Sequence, residues 1–363
     1  MSPDDRVRKG QHVMTVCNAC RYCEGYCPVF PAMENRLTFA KDDLFYLANL
    51  CHNCGECLYA CQYAPPHEFG IDVPRTLAEL RLASYEESCW PQFLSGAFTR
   101  QPLVTAAAFL AGCAALLLVT RASTRQAAPG DFYQVVPHHV MVTLFSAVAL
   151  FAVAALFVAR KRGRASFAVS ATRVADSANH ARPLFLGLSD ALTLRHLHGA
   201  GENCTDAEDT RGPWRRWLHH CTFYGFALCF ASTSVAAVYH LVFGWRAPYA
   251  YTSLPVVLGT AGGIGLLIGP AGLVAMRNVR DQALTDPSQS GLDLTFIAML
   301  FLTSLSGLLL LALRDRPSMP ALLVIHLACV LALFLMLPYG KFVHGIHRMA
   351  ALITFARERF RQD

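Results

Sequence analysis

The sequence predicts a mainly α-helical chain in two parts, a small cysteine-rich helical domain followed by a six-helix transmembrane bundle. Three observations carry this. Of 363 residues, 54% are apolar and only 15% charged, against roughly 25% charged in an average soluble domain. Charge is absent from whole segments, such as Leu103–Thr120 and Val140–Ala159. Eight of the 14 cysteines stand in two blocks between Cys17 and Cys61, where charge is mixed and no apolar run reaches membrane length. The boundary falls at residues 98/99, giving domains 1–98 and 99–363, the second with an inner loop at about 160–218. This apolar content excludes intrinsic disorder. A formal charge of only +6 argues against a nucleic-acid partner, which would demand a dominant basic patch.

Six spans are predicted: Leu103–Thr120, Val140–Ala159, Cys221–Phe243, Leu254–Met276, Leu294–Leu313 and Ala321–Leu337. Each approaches the roughly 20 residues that cross a hydrocarbon core. The last is expected to continue as helix past Gly340 to His344. Lys and Arg set the orientation. With the N-terminus inside, inner segments hold 17 of them and outer segments 5. Both termini are therefore expected on the cytosolic side of the cytoplasmic (inner) membrane. The opening Met1-Ser-Pro-Asp-Asp-Arg has no apolar core and does not read as a secretory signal. Clustered cysteines in reducing cytosol point to metal rather than disulfides.

In the first domain, Lys41–Leu50 reads as a short helix feeding the second cysteine block. Asp72 and Pro74 open a helix to about Ser88, with proline in its first turn. The blocks are Cys17-x-x-Cys20-x-x-Cys23-x-x-x-Cys27-Pro28 and Cys51-x-x-Cys54-x-x-Cys57-x-x-x-Cys61, the bacterial ferredoxin run twice over. Three closely spaced cysteines wrap one cubane, and the fourth reaches the other. Cys17, Cys20, Cys23 and Cys61 are thus assigned to one 4Fe-4S cluster, and Cys51, Cys54, Cys57 and Cys27 to a second. Zinc is the competing ligand, but a Cys₄ zinc site wants two separated pairs. Gln62 stands where the run would place a second proline, which removes no ligand. With every iron ligated, such a pair relays electrons rather than binding substrate.

Histidines near span ends form a second pattern, and ionisable residues in spans are costly and usually functional. His219, His220, His344 and His347 fall on the inner side, and His138, His139, His240 and His326 on the outer. His326 and His344 are 18 residues apart, about five turns, so a continuous helix would place them on one face. Spans three and six would then hold two stacked b-type haems: His240 with His326, and His219 with His344. His220 and His347 are alternates for the inner pair. Interfacial capping is the competing reading, and fits His138 and His139. Gly259, Gly262, Gly263, Gly265, Gly269 and Gly272 on span four permit close helix approach, and could also make room for a macrocycle. Arg277 and Arg280 would pair with haem propionates or mark the inner side. His196, His198 and Cys204 are candidates for a further metal site. No dinucleotide-binding glycine loop or nucleophile elbow is present, so a flavin must lie on a partner.

Four stretches carry a resemblance. They are Arg182-Pro-Leu-Phe-Leu-Gly-Leu-Ser-Asp-Ala-Leu-Thr-Leu-Arg195 with the loop to Cys204, Arg215-Arg-Trp-Leu-His-His-Cys-Thr-Phe-Tyr-Gly-Phe226, Tyr239-His240, and Gly340-Lys-Phe-Val-His-Gly-Ile-His-Arg348. With the cysteine blocks, they make residues 14 to 357 resemble the tricarballylate utilization protein B family, also called CitB. The membrane half is similar to cytochrome b subunits of the nitrate reductase gamma type. The family implies a partner, an FAD-dependent tricarballylate dehydrogenase whose reduced flavin this chain would reoxidise, passing electrons to quinone. A related fusion protein that oxidises a corrin precursor implies that the flavoprotein could differ. A redox-sensing iron–sulfur protein is the alternative of another class.

Overall fold

The computed structural model describes residues 3–123, 131–171, 181–198, 213–279, 284 and 286–360; among them there are helices and no strand. The first domain holds α1 (Pro3–Cys20), α2 (Val29–Glu34), α3 (Lys41–Leu50), α4 (Glu56–Tyr59) and α5 (Val73–Ser88). The start of α5 is fixed locally: the Asp72 carboxylate accepts from the Arg75 N–H at 3.0 Å, satisfying one of the orphan donors of a helix N-terminus. At α3 the Asp43 carboxylate folds back to accept from the Ala40 N–H at 3.1 Å. Every residue from Leu44 to Leu50 is buried, so α3 is the centre of this domain. Helix α1 had no counterpart in the sequence reading. It carries Cys17 and Cys20 on its last turn and ends as Arg21 enters the left-handed region at φ 55°.

The second part holds α6 (Gln101–Ser123), α7 (Phe132–Val135), α8 (His138–Ala171), α9 (Ala181–Leu192), α10 (Trp214–Leu241), α11 (Leu254–Val279), α12 (Ser290–Ala312) and α13 (Met319–Met336). The six long ones, α6, α8 and α10 to α13, are long and apolar enough to cross a membrane, and they overlap the six predicted spans. Leu103, Leu150, Phe157 and Leu241 are exposed on them, as lipid-facing side chains would be. The glycine stripe of α11 serves helix contact. A Cβ on Gly262 would stand 2.7 Å from the Gly225 carbonyl oxygen, and one on Gly225 would stand 2.9 Å from that of Gly262, so α10 and α11 meet backbone to backbone. Arg277 pairs with Asp293 of α12 at 3.2 Å. Arg280 and Cys204 lie outside the described residues.

One expectation is corrected. The last span does not run on to His344: it closes in a 3₁₀ turn at Leu337–Tyr339, and a separate helix, α14 (Val343–Arg359), follows. Pro338 donates no backbone hydrogen bond, and Gly340 is extended, at φ −117° and ψ −173°. His326 and His344 therefore do not share the face of one continuous helix.

Helix α14 belongs physically to the first domain. Ala351, Leu352 and Phe355 are buried in the same core as Met14, Leu44 and Leu47. Glu358 accepts from Arg36 at 2.7 Å and from the Tyr46 hydroxyl at 2.9 Å. Further bonds seat the domain on one end of the bundle: Gln289 to the Ala78 carbonyl at 2.8 Å, and Arg162 to the Cys89 carbonyl at 2.7 Å.

Candidate redox centres

The end of α1, the loop to α2 and the segment after α4 bring one group of thiols together. The groups that act electrostatically on Cys17 are Cys61, Cys23 and Cys20. Burial, reinforced by these neighbours, pushes the Cys17 thiol up to about 12 and the Cys23 thiol up to about 11. A cavity of about 260 Å³ opens beside them, lined by all four cysteines with Tyr22 and Tyr63. Cys27, at the start of α2, belongs to the other group. Burial raises its thiol well above the usual range, with Cys51 and Cys54 adding to the shift. Cys57 is raised likewise, with Cys54, Cys27 and Cys51 acting on it. The cavity here is far tighter, about 10 Å³. Gly55, one of its lining residues, holds φ 98°, and the Leu284 side chain packs where a Cβ on Gly55 would stand.

The donor sets suit iron–sulfur clusters. Metal ligation needs thiolates, and thiols this buried and crowded give up protons only against strong positive charge, which iron supplies. The thiols are also spread rather than gathered on a point. Among the described residues no three His, Cys, Asp or Glu side chains are placed to hold one metal ion. A cubane takes each thiolate at a different corner.

The histidines separate by position. His219 on α10 and His344 on α14 face each other, ring centroids 6.2 Å apart. These two imidazoles are the pair that would hold a haem iron, which would supply a one-electron carrier there. His344 Nδ1 donates to the Lys341 carbonyl, which leaves Nε2 as the lone-pair nitrogen, as for a ligating histidine. Burial, then the charge of Lys341, hold His344 neutral, pushed down to about 3. His219 Nδ1 is buried without a partner.

The alternates lie elsewhere. His220 accepts from Arg216 at 3.3 Å and stacks on Tyr224. His347 turns into the first domain, against Ser88 at 3.2 Å and the Tyr85 ring. His240 and His326 make no ring contact with each other. His240 stacks on His138 at 3.7 Å, beside Tyr133. His326 meets Ser306 at 3.1 Å. His196 bonds Asp190 at 3.3 Å.

Sequence reasoning passed over the surroundings of the second thiol group. His52 is buried with neither ring nitrogen partnered. Arg81, Arg215 and Arg348 bond carbonyls of residues 48 to 53. The one sequence signal was that His52 adjoins Cys51; the arginines come from three distant helices.

Comparison with known proteins agrees with this organisation. Residues 10–87 match the family model "Citrate utilization protein B Fer4-like domain", and residues 99–363 match "Citrate utilization protein B". The chain is 47% identical over 357 residues to citrate utilization protein B of Escherichia coli, covering 97% of this chain and 92% of that protein. No solved structure matches it. A Fer4-like domain joined to six apolar helices, over nearly the whole length of such a relative, makes this chain a member of the citrate utilization protein B family.

Proposed function

We propose that this chain is a membrane electron-transfer subunit that reoxidises the reduced flavin of an FAD-dependent tricarballylate dehydrogenase and delivers the electrons to quinone. The family and its Fer4-like domain support the iron–sulfur role. The observation that carries the route is the seating of the cysteine domain on the bundle end where His219 and His344 face each other. Cys17, Cys20, Cys23 and Cys61 would hold one 4Fe-4S cluster, and Cys27, Cys51, Cys54 and Cys57 the other. His219 and His344 would hold a b-type haem. These groups, when bound, supply one-electron carriers that split the electron pair of a reduced flavin. The first thiol group, beside exposed Tyr22, offers the side a flavoprotein can reach. The second is surrounded by α5, α14 and α10, of which α10 is itself one of the six apolar helices.

The test is a dithionite-reduced-minus-oxidised spectrum of the detergent-purified chain, with haem quantified. Sharp b-type bands that disappear in His344→Ala but persist in His347→Gln are expected. Broad iron–sulfur bleaching alone would remove haem from the route. Cys20→Ser and Cys54→Ser should stop steady-state flavin reoxidation while the partner still completes one substrate turnover; normal turnover in both variants would overturn the reading.

A further inference from the structure

We propose that Arg81, Arg215 and Arg348 form a cationic collar that makes the second thiol group the higher-potential centre, so that electrons run from the first group toward the membrane. The inference rests on the two-cluster reading above. Arg81 of α5 donates to the Ala48 and Cys51 carbonyls, both at 2.8 Å. Arg348 of α14 donates to the Leu50 carbonyl at 2.9 Å. Arg215 of α10 reaches the His52 carbonyl at 3.1 Å and that of Asn53 at 3.3 Å. Three helices from distant parts of the chain thus bring a guanidinium to the short segment that carries Cys51.

A carbonyl orients a guanidinium and leaves its charge intact. Among the described residues no carboxylate pairs with Arg81 or Arg348. Burial and the neighbouring Arg81 push Arg348 down to about 10, so it stays cationic at neutral pH. Its bond to the Leu50 carbonyl sets it one residue from Cys51, and its charge acts on both Cys27 and Cys51. On Cys17, by contrast, the groups that act are other cysteines. Reduction adds one negative charge to a centre, and a fixed cation in a low-dielectric site favours that state. An electron passing from the first centre to the second would oxidise the one and reduce the other, with no bond made or broken and no proton required.

The experiment is a redox titration of the detergent-purified full chain, followed by electron paramagnetic resonance. Two midpoint potentials are expected. In Arg348→Gln the higher should fall by about 59 mV, tenfold in a one-electron equilibrium, while the lower stays. Arg348→Lys, which keeps the charge, should restore most of the shift. Where Arg348→Gln costs the chain its second centre, Arg215→Gln takes its place, with a smaller fall of the same potential. A shift of the lower potential, of both together or of neither overturns the collar. Fewer than two centres in the unaltered chain would sink the two-cluster reading, and the collar with it.

Discussion

At the scale of single residues, His344 and His347 show how one turn of helix separates two roles. Both stand on α14, His347 buried and His344 half-buried, yet His344 turns to His219 and His347 turns to Ser88 and Tyr85. His347 fills a space that a Cβ on Gly163 of α8 would contest, its ring 2.7 Å away, so it joins α14, α5 and α8. Burial pushes it down to about 4, while an unfolded histidine titrates near 6.5. Between those values the unfolded chain binds the extra proton, so stability falls as pH drops from above 6.5 toward 4, at a slope of up to about 1.4 kcal/mol per pH unit. In His347→Gln the dependence of melting temperature on pH between 5 and 7 should flatten. An unchanged slope would show that His347 is not held neutral in the fold. Spacing favours His344 over His347 only through a continuous helix that does not form, and the contacts of His347 with Ser88 and Tyr85 leave no mark in the sequence. Spacing did mark the cysteines, because the ferredoxin run is local; the arginines around them meet only through tertiary structure.

At the scale of elements, legibility follows from what fixes each helix. The bilayer sets the length of a span, so the six spans could be read from apolar runs to within a few residues, apart from the extended ends of α8 and α10. The end of α13 was misread because hydrophobic pattern was followed past Pro338 and Gly340, whose backbone chemistry stops the helix. Helix α14 then returns to the first domain and is pinned there by Glu358. That carboxylate bonds Arg36 and Tyr46, with the Arg36 and Glu358 side chains 5% and 7% exposed. Breaking a buried ion pair leaves a charge without compensation. Asp43, 2.8 Å from Arg36, softens the loss, and Glu358→Gln should cost about 3 kcal/mol. Thermal unfolding of the detergent-purified chain measures this. A Tyr46→Phe change, which removes one hydrogen bond and no charge, should cost about 1 kcal/mol. Equal effects of the two changes would mean that the ion pair contributes little beyond its hydrogen bonds.

At the scale of the whole molecule, the two parts form one device only if the cysteine domain sits on the side from which a flavoprotein approaches. The bonds from Arg162, Gln289 and Arg348 to the first domain join it to the bundle end bearing His219 and His344. Over the full sequence, the segments predicted to be inner hold 17 Lys and Arg against 5 in those predicted to be outer. Positive residues beside short loops are retained in the cytosol, and translocating a folded cluster domain would expose its thiols to an oxidising compartment. On both grounds residues 1–98 and the C-terminus are predicted to lie inside. A fluorescent protein fused after Asp363 should therefore glow in intact cells, and a single cysteine at Arg246→Cys, in a background lacking the native non-ligand cysteines, should react with an impermeant maleimide from outside. Labelling from outside at Arg162→Cys, with none at Arg246→Cys, would invert the molecule. Electrons would then have to arrive from the far side of the membrane, and a cytosolic flavoprotein could not be their source.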